Sequence, residues 1–223
     1  MVVFPPTPIS PHEFFSGFLP RAFAEAGLPP GSEGLDVALG VALTGAGGGE
    51  WVFRVANGRL RVGQGPRDAT AFTVRQSVAD FRGALWEGRG GAVARQAMSI
   101  FRPGERAEPK PGNLAPPSPA ALSRLGGLDG LIRLVVAGGP GGDWQVDFKL
   151  GPGAIPQTPT TTVTIAAEDA DRMERGELNP MEAFMAGRIQ LAGDIALVMQ
   201  LQAAQMQAAQ AQAAQAPMAG AAK

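Results

Sequence analysis

Few side chains in this 223-residue sequence could carry out acid–base or nucleophilic chemistry. The chain has one histidine, His12, and no cysteine. A serine-hydrolase triad needs a histidine positioned by a carboxylate, whereas zinc and iron–sulfur sites need several histidines or thiolates. The composition therefore argues against most hydrolytic and metal chemistries. We expect no catalytic residue, no metal site, no cofactor and no enzymatic activity.

Two other patterns have a chemical and a structural interpretation. The adjacent carboxylates Glu168 and Asp169 do not face each other on a helix, so a solvated first helical turn explains them better than an acid–base pair. The glycine-rich stretches 45–49 and 138–142 match neither a dinucleotide fingerprint nor a phosphate loop. Both stretches instead predict turns between strands.

The segment 176–202 carries the most information. Asn179 and Pro180 suit the start of a short helix, and the alternation of Ile189 and Leu191 with polar residues predicts a short strand. Asp194 then begins a second helix that has almost no polar stripe near its start. A helix that is apolar on several faces must be covered by protein, by a partner or by a lipid. The methionines of this segment are adaptable side chains that suit a cavity for apolar molecules.

The residue patterns upstream give the same coarse order within each half of the chain: a helix, then strands, then a helix. Ser10 and Glu13 form a capping-box pattern at the start of an amphipathic helix over 11–26. Alternating apolar residues predict strands on both sides of Asn57-Gly58, a dipeptide that favours a tight hairpin turn. The remaining strands and helices follow in a similar order in both halves of the chain.

Short matches between the halves indicate a duplicated unit. Gly48-Gly49-Glu50-Trp51 recurs 93 residues later as Gly141-Gly142-Asp143-Trp144, and Leu35-Asp36 recurs at the same spacing as Leu128-Asp129. Proline is dense between the halves, where it favours a semi-stiff linker. We therefore divide the chain into a first unit (1–104), a Pro-rich linker (105–116), a second unit (117–202) and an Ala/Gln-rich helical tail (203–223).

The C-terminal part of the second unit resembles the sterol carrier protein type 2 family, the non-specific lipid-transfer proteins. The clearest similarity covers residues 160–202, and the first half is similar to a diverged copy only up to about residue 88. The residues that carry the resemblance are Val163-Thr164-Ile165, Glu168-Asp169, Gly176, Leu178-Asn179-Pro180-Met181, Ala183-Phe184-Met185, Gly187, Ile189, Gly193-Asp194 and Ala196-Leu197.

The resemblance implies an α+β fold in which helices cover one face of a mixed, mostly antiparallel five-stranded sheet. Together with the internal matches, it predicts two tandem copies. It also implies an apolar cavity for a sterol, fatty acid, acyl-CoA or isoprenoid. Burying each CH₂ group is worth about 0.8 kcal/mol, so such a ligand needs few polar contacts. Ordinary core packing is the alternative role for these side chains. The expected ligand-binding residues are Val163, Ile165, Met181, Phe184, Met185, Ile189, Leu191, Leu197, Val198 and Leu201.

Non-catalytic binding and carriage of a lipid-like ligand is therefore the expected function. The alternative is an interaction or accessory module, for example one that supports isoprenoid-quinone biosynthesis. The sequence leaves two further interactions open. One is a transient contact with a membrane, and the other is binding of a protein partner or a second copy through the Ala/Gln helix. A net charge of −1 argues against nucleic acid. The sequence shows no secretory leader and no spanning segment, which favours a cytoplasmic location.

Overall fold

The computed structural model describes residues 2–28, 34–65, 69–102, 125 and 127–215, with the backbone alone given for residues 205, 206 and 208–215. We refer to residues 2–102 as the first half and to residues 127–215 as the second half. The proposed linker 105–116 lies outside the described residues.

The first half contains four strands and a set of helices. A π-helical turn, Glu13–Phe18, leads into α1 (Leu19–Ala26). The strands are β1 (Asp36–Thr44), β2 (Gly49–Ala56), β3 (Arg59–Gln64) and β4 (Phe72–Ser77). They are followed by α2 (Val78–Trp86), α3 (Gly91–Ala97) and a 3₁₀ turn, Met98–Phe101.

The second half adds four strands and three helices. The strands are β5 (Gly130–Ala137), β6 (Trp144–Leu150), β7 (Thr161–Ala166) and β8 (Ile189–Gly193). The helices are α4 (Ala167–Glu174), α5 (Pro180–Met185) and α6 (Ile195–Gln215).

All eight strands belong to one sheet, in the order β3-β2-β1-β4-β6-β5-β7-β8. Five of the neighbouring pairs are antiparallel, and β1–β4 and β5–β7 are parallel. The mixed, mostly antiparallel α+β fold is therefore confirmed. The expected five-stranded sheet is wrong, because β4 of the first half pairs with β6 of the second and joins the strands into one sheet.

Local sequence signals explain several element boundaries. The Ser10 hydroxyl accepts a bond from the Glu13 amide at 3.2 Å, and the Glu13 carboxylate accepts one from the Ser10 amide at 3.1 Å. The hydrogen bond from Ser10 lowers the pKa of Glu13. Asn57 and Gly58 both adopt positive φ, as the tight turn between β2 and β3 requires.

The core lies between the sheet and the helices. Alternate strand residues such as Val41, Trp51, Val74 and Val136 point to the face that the helices cover. Trp51 and Trp144 are both fully buried there.

The opposite face of the sheet carries charged side chains. Asp147 on β6 lies between Arg75 on β4 and Arg133 on β5, at 2.5 and 2.7 Å. The same face holds Lys149, whose ammonium group is buried and contacts Asp129 at 2.7 Å.

Candidate functional site

Four of the expected ligand-binding residues lie side by side on β7 and β8. Val163 is paired with Leu191, and Ile165 is paired with Ile189. Directly paired residues project from the same face of a sheet, so these four side chains form one apolar surface. Ile165 is buried, whereas Val163, Ile189 and Leu191 are half-buried.

This surface continues on β5 into the protein core. Leu134 is paired with Val163 and Val136 with Ile165, and both β5 residues are almost completely buried. The apolar surface is therefore closed towards β5 and only partly covered towards the sheet edge at β8.

Helix α6 begins next to this surface. The amide of Asp194 donates to the carbonyl of Thr160 at 2.9 Å, and the Asp194 carboxylate accepts from the Ala196 amide at 2.8 Å. These bonds fix the start of the helix beside β7. The expected role of Asp194 as the N-terminal cap is confirmed.

One face of α6 packs on the sheet. Leu197 is 4% exposed and lies against Gly130, where an added Cβ would come within 2.5 Å of the Leu197 Cδ2 atom. Gly130 also has a φ of +152°, which strongly favours glycine. Leu201 and Val198 are half-buried, and Leu201 packs against the core. The glycine thus permits the close contact that holds the helix over the sheet.

The expected residues of α5 are exposed. Met181, Phe184 and Met185 have 67%, 41% and 77% of their surface accessible, while Ala183 between them is buried. On α6, Ile195 and Met199 are 48% and 61% exposed. We call these five side chains the apolar surface group. Among the side chains that the structure describes, only one other large apolar one, Val3, is exposed.

A buried carboxylate lies where α4 meets the start of β8. Asp169 accepts from Arg188 at 2.8 Å and from Arg172 at 3.4 Å, and its side chain is 11% exposed. The expected solvated first turn is therefore wrong for Asp169. Its carboxylate accepts from a guanidinium on each of two segments, so Asp169 links α4 to the start of β8.

The described residues contain other features that a ligand could use. A groove of about 540 Å³ opens between the N-terminal arm and the helix over 13–26, lined in part by Val2, Ile9, Phe18 and Arg21. None of the ten expected binding residues lines it. No cluster of three or more His, Asp or Glu side chains that could hold a metal occurs among the residues that the structure describes. Among those same residues, no helix is long and apolar enough to cross a membrane.

Sequence reasoning missed the residues that join the two halves. Arg75, Arg133 and Asp147 stand on three different strands and meet only because β4 pairs with β6. Alternation of apolar residues locates a strand, but it carries no information on which strands are neighbours.

The fold and the apolar surface of β7 and β8 define an α+β protein in which helices cover one apolar face of a mixed sheet. Residues 113–206 match the model of the SCP-2 sterol transfer family. The match covers about two fifths of the sequence and supports lipid binding or transfer in general.

Curated relatives agree over the same part of the chain. Sterol carrier protein 2 of Rattus norvegicus is 34% identical over 85 residues, which are 35% of this chain and 16% of that protein. Peroxisomal multifunctional enzyme type 2 of Mus musculus is 41% identical over 64 residues, or 26% of this chain and 9% of the enzyme. The chain thus spans about one sixth of the sterol carrier protein 2 sequence.

Among solved structures, sterol carrier protein 2 like 2 of Aedes aegypti shows 26% identity. The similarity covers 35% of this chain and 83% of that one, with a TM-score of 0.26.

Proposed function

We propose that the second half binds a lipid-like molecule without catalysis, on the apolar surface of β7 and β8 beside α6. The observation that carries the proposal is the incomplete cover of Val163, Ile189 and Leu191, which lie on the helix-covered face yet stay half-buried. Apolar side chains on that face are normally covered by protein. An acyl chain, sterol or isoprenoid would remove the remaining surface from water, at about 25 cal/mol per Å².

The residues of α5 and α6 fit the route by which such a ligand enters and leaves. Met181, Phe184 and Met185 stand immediately before β8 in the chain, and Met side chains adapt to apolar partners of different shape. An exposed apolar group of this kind also suits contact with a membrane surface, from which a carrier must take its ligand. We assign the apolar surface group to this transient membrane contact.

The direct test introduces a charge on the proposed wall. Leu191→Glu places a carboxylate on the apolar face of β8, whereas Gln190→Glu places the same charge on the opposite face of the same strand. We expect Leu191→Glu to weaken binding of a fluorescent fatty acid at least tenfold and Gln190→Glu to leave it within twofold. Thermal unfolding of both variants shows whether each is folded.

A space-filling variant keeps the test decisive if Leu191→Glu does not fold. Leu191→Phe stays apolar and fills the surface, so it should compete with the ligand and weaken binding. Extraction of the purified protein with organic solvent provides an independent measurement. Absence of extracted lipid, together with unchanged probe binding by both Leu191 variants, would refute the proposal.

A second candidate is an interaction module, which the length of α6 favours. The helix continues to Gln215, and residues 203–215 contain only Ala, Gln and one Met. Such a helix could pair with a partner or with a second copy. Removing residues 203–223 separates the two functions. Carriage predicts unchanged probe binding and an unchanged number of chains per particle, whereas association predicts fewer chains per particle by light scattering.

A further inference from the structure

The two halves of the sheet have complementary gaps. In the first half, β1 lies between antiparallel β2 and parallel β4, and in the second half β5 lies between antiparallel β6 and parallel β7. The first half adds β3 outside β2, and the second half adds β8 outside β7. Among the described residues, the second half therefore has no strand of its own outside β6, and the first half has none outside β4.

Each gap is closed by the other half. Phe72 to Arg75 of β4 pair with Leu150 to Asp147 of β6, so each strand satisfies the backbone groups of the other. The chain continues this contact beyond the strands, since the Gly151 amide donates to the Ala71 carbonyl at 2.9 Å. An unpaired edge in the middle of a sheet exposes a row of backbone donors and acceptors. Neither half has a complete sheet alone.

Side chains reinforce this seam on both faces. On the outer face, Arg75 of the first half contacts the Asp147 carboxylate of the second, whose side chain is only 3% exposed. On the inner face, the rings of Phe72 and Phe148 stack with their centroids 5.7 Å apart. The fully buried Trp144 donates to the carbonyl of Asp80 on α2 at 3.2 Å.

The first half differs from the second in how its interior is filled. Its helix–sheet space holds a network of aromatic rings with neighbouring centroids 4.8 to 6.4 Å apart. Phe14 and Phe15 at its centre are completely buried. These rings fill the space between the helices and the strands of the first half. The members of the network are Phe4, Phe14, Phe15, Phe18, Trp51, Phe53, Phe81, Trp86 and Phe101.

We propose that the first half is a built-in strand donor for the lipid-binding half. Its aromatic core holds β4 in place, and β4 completes the sheet at β6. The β5 and β7 strands, which carry the apolar surface, then fold only together with the first half. The consequence for ligand binding rests on the function proposed above, whereas the coupled folding does not.

Amide hydrogen exchange of the intact chain tests this coupling. Phe15→Ala empties part of the aromatic core at a site that touches no residue of the second half in the ring network. We expect protection of β5 and β7 amides to fall by the same factor as that of β1 and β2, about 100-fold or more, with one unfolding transition lowered by about 10 °C. Two independently folding halves would leave β5 and β7 protection unchanged and overturn the proposal.

Matched arginine variants test the seam itself. Arg75→Met removes the guanidinium that reaches Asp147, and Arg82→Met removes an exposed guanidinium that pairs with Glu87. We expect Arg75→Met to reduce protection on both β4 and β6 at least tenfold and Arg82→Met to change it less than twofold. Equal effects of the two variants would contradict the seam.

Two additions keep the outcome interpretable. Phe15→Leu is a milder variant for use if Phe15→Ala does not fold, and it should show the same coupling at smaller amplitude. Probe binding is measured separately on the same samples. Coupled exchange without any probe binding would refute the lipid function and leave strand donation standing. Independent exchange of the two halves, together with probe binding, would refute strand donation and leave the lipid function standing.

Discussion

On the outer face of the sheet, the buried carboxylate of Asp147 holds the charged side chains together. It accepts from Arg75 and Arg133, and the hydrogen bond that Arg133 donates to Asp147 raises the pKa of the Arg133 guanidinium. Removing one member of a buried group of charges leaves the remaining charges without a partner of opposite sign. This cost is much larger than the loss of an ion pair in water.

We therefore predict that Asp147→Asn lowers the free energy of unfolding by about 3–5 kcal/mol, because two guanidinium groups lose their shared carboxylate. Chemical denaturation at pH 7 measures the change. Asp36→Asn is the control, since Asp36 pairs with Arg54 but both side chains are at least 60% exposed. The control should cost about 1 kcal/mol or less. Similar losses for the two variants would show that burial of Asp147 is not what matters.

Lys149 gives a second prediction at this scale, which concerns pH. Its ammonium is buried and donates to Asp129 and to the carbonyl of Leu150 at 2.7 and 2.6 Å. The hydrogen bond from Lys149 lowers the pKa of Asp129 below its ordinary value of 3.8. A group whose pKa is lower in the folded state stabilises the fold above its unfolded pKa and loses that effect as the pH falls through the folded value.

Asp129→Asn should therefore be less stable than the parent protein at pH 7, and the difference should fade as the pH falls from about 4 towards 2. Because the Asp129 side chain is 87% exposed, we expect the difference at pH 7 to stay near about 1 kcal/mol. Urea unfolding at pH 7, 4 and 3 measures it. A difference that grows on acidification would contradict the assigned contact.

Individual residues were predictable from the sequence when their partners are close in the chain. Ser10 with Glu13, and Asn179 with the amides of Met181 and Glu182, form the expected caps. The burial of Asp169 was not predictable, because its partner Arg188 lies 19 residues further along the chain, at the start of the edge strand. Local patterns specify helix starts, but they do not specify the burial of a carboxylate.

At the scale of elements, α2 and α5 use the same capping chemistry in different surroundings. Ser77 caps α2 by accepting from the Asp80 amide at 2.9 Å, and α2 buries Phe81, Ala84 and Leu85. Asn179 caps α5 at 2.8 Å, but Ala183 is the buried residue of that helix. Because α2 packs in the core, we expect its cap to contribute to the stability of the whole protein. Helix α5 buries little, so its cap should stabilise that helix alone.

We predict that Asn179→Ala and Ser77→Ala each cost their helix about 1 kcal/mol, with different consequences. Ser77→Ala should lower the melting temperature by about 2–4 °C. Asn179→Ala should leave the melting temperature nearly unchanged but speed amide exchange in α5, because local opening does not require global unfolding. Calorimetry and hydrogen exchange measure the two effects. An equal drop in melting temperature would show that α5 is part of the cooperative core.

The elements themselves were largely predictable, but their assembly was not. Alternating apolar residues located the strands, including β2 and β7, since one buried face imposes a period of two. Helix α3 was missed because Gly90-Gly91 and a short apolar run give little periodicity. The pairing of β4 with β6 joins residues more than 70 positions apart, and no local pattern contains that information.

On the scale of the whole molecule, the small net charge hides an uneven distribution. Residues 1–104 contain ten basic and eight acidic side chains, a net charge of +2. Residues 117–202 contain six basic and ten acidic side chains, a net charge of −4. The apolar surface group therefore lies on the acidic part of the molecule, with Glu182 and Asp194 next to its members in the chain.

This distribution decides which membrane surface the apolar surface group can contact. Anionic headgroups repel an acidic rim over about 8–10 Å at moderate ionic strength, whereas zwitterionic headgroups do not. We predict that the protein binds phosphatidylcholine vesicles more tightly than vesicles containing phosphatidylserine at low salt. The difference should vanish near 1 M salt, where the screening length falls to about 3 Å.

Vesicle co-sedimentation measures this preference, and paired variants locate the surface that causes it. Met181→Gln with Met185→Gln should reduce binding to phosphatidylcholine vesicles severalfold, because two exposed apolar side chains lose their favourable transfer into lipid. Val3→Gln changes a side chain that is 74% exposed on the basic half and should leave binding unchanged. Tighter binding to phosphatidylserine, or a larger effect of Val3→Gln, would place the contact on the first half, where the excess arginines attract anionic lipid.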